Sequence, residues 1–104
     1  MKYYFKVGRA KSIAVNEDDT FENLGFAILE AYHIKPYHLF MFTFSNGEET
    51  NSATPIGPMD DYRDVPIDSP INHRGMKIDE VMTMEYDYGT NWTRKVRLVK
   101  IADS

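Results

Sequence analysis

The sequence has no cysteine, which excludes disulfides, thiolate zinc sites and cysteine nucleophiles. It has no apolar run near the roughly 18 residues that a membrane-spanning helix needs. Its first residues, Met1-Lys2-Tyr3-Tyr4-Phe5-Lys6-Val7, lack the apolar core and small-residue cleavage site of a secretory signal, so the cytoplasm is the expected location. There is no Gly-x-x-x-x-Gly-Lys-Ser/Thr phosphate loop and no Gly-x-Ser-x-Gly elbow. The histidines, His33, His38 and His73, do not stand at zinc-like spacing, so no metal and no other cofactor is expected. Positive charge is in short supply. The net charge of −4 opposes general nucleic-acid binding, an average that a local basic strip would override.

What is present describes one folded unit. The 104 residues are 42% hydrophobic and 13% aromatic, enough to build a core and too aromatic for a disordered chain. A single domain over 1–104 follows.

Tyr3, Phe5 and Val7 alternate with polar positions, the period of a half-buried strand, and Ile13-Ala14-Val15 reads as its hairpin partner. Asp18-Asp19-Thr20 offers helix-capping side chains, with Glu22 in the first turn. Phe21, Leu24, Ile28, Ala31 and Tyr32 then form one apolar helical stripe ending near His33, and Pro36 prevents continuation. Phe26 and Leu29 fall outside that stripe. They are expected to be covered by a loop or the sheet, or to form a patch for a partner or a second copy.

His38 to Phe44 is the plainest strand, apolar on both faces as an interior strand would be, and Asn46-Gly47 follows as its turn. Residues 46–80 read as a long irregular loop, with short strands near Ala53-Thr54 or Val65-Ile67 and a helical turn around Met76, Ile78 and Val81. The acidic run Met59 to Asp64 lacks calcium-loop spacing and is expected to be solvated. Met82 to Tyr88 and Trp92 to Ile101 form a closing hairpin through Gly89-Thr90-Asn91. The order predicts an α+β, β-grasp-like (ubiquitin-like) mixed sheet with one main helix across one face.

The closing hairpin carries a more specific pattern. Tyr86-Asp87-Tyr88-Gly89, then Trp92 and the alternating Val96-Arg97-Leu98, resembles the signature of the plasmid pRiA4b ORF-three-like family. Thr20-Phe21-Glu22-Asn23-Leu24 is similar to that family's helix, and His38-Leu39-Phe40-Met41-Phe42 to its His-Leu-x-x-Phe strand. The resemblance implies an α+β, β-grasp-like fold and a passenger protein of plasmids and insertion sequences, with no activity assigned. Thr90 and Asn91 replace aspartates usual in the family, and Arg94 replaces a common histidine, so an Asp/His cluster would be depleted in this chain.

Asp87 heads the candidate binding residues, with His38, Asn91 and Trp92. Either Asp87 caps the turn while Trp92 covers the core edge, or these residues line a pocket with an aromatic wall. In the last strand, alternation places Lys95 and Arg97 on one face and Arg94 and Lys100, with Val96 and Leu98, on the other. A nucleic-acid surface would need exposed aromatics beside such charges, and none is evident from sequence. The expected role is a non-enzymatic protein-interaction or accessory module, binding another protein or a second copy. A pocket or enzyme around Asp87, Trp92 and His38 and a nucleic-acid accessory protein are the alternatives.

Overall fold

Alternation and capping carry through to the fold. The computed structural model describes residues 1–54, 57–58, 65–87 and 91–103, with 54, 57, 58, 87 and 91 described by backbone alone. Strands β1 (Lys2–Val7) and β2 (Lys11–Asn16) form the first hairpin, and Tyr3, Phe5 and Val7 are buried as the alternation predicts. Helix α1 (Phe21–Ala31) begins at Thr20, whose hydroxyl accepts the Asn23 amide at 3.0 Å, while the Asn23 side chain accepts the Thr20 amide at 3.0 Å. This reciprocal cap satisfies two otherwise orphaned donors. The helix ends with Ile34 N–H donating to Leu29 C=O and His33 N–H to Glu30 C=O, and His33 takes the left-handed conformation usual for glycine there.

Strands β3 (Phe40–Thr43), β4 (Ala53–Thr54), β5 (Gly57–Pro58), β6 (Val81–Asp87) and β7 (Asn91–Ala102) complete one sheet in the order β2-β1-β7-β6-β3-β4-β5. The α+β class holds. The expected mixed pairing is corrected, because every ladder between these strands is antiparallel. The reason is topological. The helix crossover links β2 to β3, which point the same way, but β1, β7 and β6 lie between them. β1 already separates the two, and the β6–β7 hairpin enters between β1 and β3 with its strands alternating in direction.

The other corrections are local. The strand expected from His38 begins at Phe40, and Leu39 before it is exposed. The helical turn lies at Ile71–Arg74 rather than at Met76 to Val81. The described parts of the loop are stitched down: Thr50 N–H donates to Phe42 C=O and the Thr50 hydroxyl accepts Phe42 N–H, Phe21 N–H reaches Ser69 C=O and Ile71 N–H reaches Asp19 C=O. Ile67 and Ile71 are fully buried, so the loop closes the helix's N-terminal end of the core. The acidic run and the turn residues 88–90 lie outside the described residues.

Leu29 requires the plainest correction, since it is 0% exposed and cannot belong to a free patch. Gly25, its neighbour one turn earlier, allows the helix to settle directly onto the Phe40 ring. That close approach rolls the Leu29 flank of the helix into the core. Phe26 sits further round, half-buried, with its ring edge-on to Phe40 at 5.1 Å between centroids. Intramolecular cover by the sheet, one of the two expectations, therefore accounts for Leu29 and for part of Phe26.

Candidate functional site

Helix α1 covers one face of the sheet, and each face presents a separate set of polar side chains. On the helix side, cross-strand pairing sets Tyr86 opposite Trp92 near the end of the last hairpin, and the next pair of the backbone ladder is Asp87 with Asn91. The His38 ring stands edge-on to Tyr86 at 6.0 Å. Tyr86 is buried, and its hydroxyl donates to Lys35 C=O and accepts Tyr37 N–H at 3.2 Å. His38 and Trp92 thus both neighbour Tyr86 at one end of the sheet. Asp87 and Asn91 form the adjoining backbone pair, one position along from Tyr86 and Trp92, and their side chains lie outside the described residues.

Trp92 packs against the edge of the core. Its ring meets Tyr32 edge-on at 5.2 Å, and the Arg94 guanidinium lies 4.5 Å from the Trp92 centroid and 5.3 Å from that of Tyr32. Lys11 approaches the same tyrosine at 5.7 Å, and the Tyr32 hydroxyl donates to Val7 C=O at 3.1 Å. Aromatic quadrupoles stabilise cations placed over their faces. The cluster therefore anchors the end of α1 to the first and last strands and leaves its charges satisfied by rings. No group of His, Cys, Asp or Glu able to hold a metal occurs among the described residues.

Among the described residues, nothing covers the opposite face of the sheet. Alternation along β1 places Lys2, Tyr4 and Lys6 there, since Tyr3, Phe5 and Val7 face the helix. Lys95 and Arg97 of β7 point the same way, and Lys6 is the direct cross-strand partner of Arg97. The β1–β7 register shifts between Tyr4 and Phe5, pairing Tyr4 with Lys100 but Phe5 with Leu98. This irregularity reverses the phase of β7, a change that simple alternation does not foresee. Lys100 is thereby moved off the Val96 and Leu98 face onto the open one, and its ammonium lies 5.4 Å from the Tyr4 centroid.

Beside this row Lys6, Gly8, Arg9, Val81, Lys95 and Arg97 surround a concavity of about 520 Å³. Lys95 donates to the Thr83 hydroxyl at 3.1 Å, and Arg97 pairs with Asp79 at 3.3 Å. Among the described side chains of β6, Glu85 is the acidic one facing this side. An acidic protein thus carries a basic row on its open sheet face. Sequence reasoning paired only Lys95 and Arg97 there. Lys2, Tyr4 and Lys6 were separated from them by most of the chain, and the register shift hid Lys100. A second cleft, of about 510 Å³ beside Phe26, Glu30, His33, Ile34, Lys35 and Pro36, borders the helix's C-terminal end.

The family model for plasmid pRiA4b ORF-3-like protein matches residues 7–104. The chain belongs to the plasmid pRiA4b ORF-3-like family. The match includes the Tyr86–Trp92 pair, the Arg94 cluster and most of the basic row, with Lys2, Tyr4 and Lys6 preceding it. Among solved structures, the chain is similar to a protein of unknown function, MM3350 from Methanosarcina mazei Go1, with 27% identity and a TM-score of 0.69. The alignment covers 95% of this chain and 60% of that one, so this pRiA4b ORF-3-like chain spans three-fifths of its neighbour's length. No curated protein matches the sequence. No helix among the described residues is long and apolar enough to cross a membrane.

Proposed function

We propose that this family member is a non-enzymatic accessory module of plasmid or mobile-element type, acting in the cytoplasm, that engages an anionic partner through its open sheet face. One observation carries the reading: Lys2, Lys6, Lys95, Arg97 and Lys100 converge on a single sheet face, open among the described residues, of a chain whose net charge is −4. Like charges gathered on one face raise its potential and cost stability through mutual repulsion, a cost that an anionic partner relieves. We infer a β-grasp-like relationship only for the hairpin-then-helix opening of the chain, β1 to α1.

Retention on a heparin column tests the reading. The protein is expected to bind at low salt and to elute earlier when Lys95→Glu and Arg97→Glu are combined, while Lys35→Glu, on the helix side, elutes with the wild type. Flow-through of the folded wild type at low salt, or identical elution of all three proteins, would overturn it.

A further inference from the structure

The basic row has an extent, a direction and an aromatic member, and together these narrow the partner. From Lys2 to Gly8 the row follows β1 for about 20 Å, at some 3.4 Å per residue. Along it stand Lys2, the Tyr4–Lys100 pair, the Lys6–Arg97 pair, and finally Arg9 and Lys95 at the concavity. Cations repeat along a line rather than closing round one point, which suits a polymer with a charge on every unit better than a small anion. Tyr4 is half-buried on the open face, and its ring is positioned by Lys100.

A phosphate polymer that also bears a planar group on each unit fits both features. Phosphates are held by lysine and arginine, and bases stack on an aromatic face whatever their identity. An acidic protein segment would use the charges but has no systematic use for the ring. Duplex nucleic acid is read by a helix or a β-ribbon that enters a groove, and among the described residues this face presents strand surface with no projecting element.

Resting on the functional reading above, we propose that the open face of β1 and β7 binds single-stranded nucleic acid, with phosphates along Lys6, Arg9, Lys95 and Arg97 and a base stacked on Tyr4. Affinity then comes mainly from the backbone, so binding has little sequence preference and weakens with salt.

Fluorescence anisotropy with labelled oligo(dT) and oligo(rU), and with a duplex of the same length, tests the proposal. Single strands are expected to bind more tightly than the duplex. Combining Lys6→Glu with Arg97→Glu should weaken binding by at least about tenfold, and raised salt should flatten the difference between variant and wild type. Tyr4→Ala should weaken it by roughly five- to a hundredfold, with Tyr4→Phe close to wild type, because stacking needs the ring and not the hydroxyl. Circular dichroism confirms that each variant is folded. Heparin retention without single-strand binding would overturn the nucleic-acid inference and leave the anionic-partner reading standing. Tighter binding of the duplex, or equal binding by Tyr4→Ala and wild type, would overturn it too. Loss of both heparin and oligonucleotide binding would remove both readings together.

Discussion

A β-carbon added to Gly25 would lie 1.9 Å from Cε2 of Phe40, closer than any side chain allows. Helix α1 and strand β3 are therefore spaced by the absence of a side chain. Gly→Ala in a helix ordinarily gains about 1 kcal/mol, but here the ring must move within a packed core, at a cost of about 1–3 kcal/mol or more. Gly25→Ala is expected to be destabilising in urea denaturation. Adding Phe40→Leu should recover part of the loss, giving a coupling between the two sites that independent positions would not show.

Leu29 distinguishes core from interface. As a fully buried residue it should cost about 2–5 kcal/mol on substitution by alanine, and the mass from light scattering should not change. Phe26→Ser should cost less, since Phe26 is only partly buried. A Leu29→Ala protein of unaltered stability and smaller assembly would return Leu29 to a partner surface.

His33 has φ of 59°, left-handed for a residue with a β-carbon. Glycine at this helix terminus removes that strain while keeping both terminal hydrogen bonds, which are made by backbone. His33→Gly is expected to raise stability by about 0.5–1 kcal/mol despite the added freedom of the unfolded chain. A thermal melt at neutral pH reads the change directly.

Two glutamates give opposite pH trends. Burial, with Asp68 nearby, pushes the Glu22 carboxyl above its ordinary 4.5, and its Oε2 is buried without a hydrogen-bond partner. Its contribution is fully present below pH 4.5 and is lost as pH rises through the raised value. Glu48 is held below its ordinary value by the Asn46 amide and then by Arg74, with which it forms an ion pair. Its contribution is present above pH 4.5 and is lost as pH falls through the lowered value. Melting temperature measured across the acid range should therefore rise at neutral pH for Glu22→Gln, by a few degrees. Glu48→Gln should instead lose less stability than wild type as pH falls. The reverse pattern would show that the assigned neighbours do not set these carboxyls.

Trp92, the chain's single tryptophan, reports on the Arg94 cluster. Arg94→Ala should shift its fluorescence and cost about 0.5–1 kcal/mol, the worth of a cation over an aromatic face near the surface. Unchanged emission would mean that the guanidinium does not occupy that ring face in solution.

Sequence by itself determined the local elements of this protein. Period-two alternation fixed β1, β6 and β7, the Asp18-Asp19-Thr20 capping run marked the start of the helix, and the Tyr86 to Trp92 hairpin identified the family, because these signals are written within a few neighbouring residues. Three matters were decided only by tertiary structure. Leu29 went inward because Gly25 let Phe40 approach, a relationship between a helix and a strand fifteen residues later in the chain. The sheet became antiparallel because β1 and the last hairpin together lie between β2 and β3, the strands that the crossover had left pointing the same way. The open basic face formed because β1 and β7, from opposite ends of the chain, are neighbours, and because a register shift turned Lys100 toward Tyr4. Charge along one strand is visible in sequence. Charge across a sheet depends on which strands pair and in which phase, and long-range packing sets both.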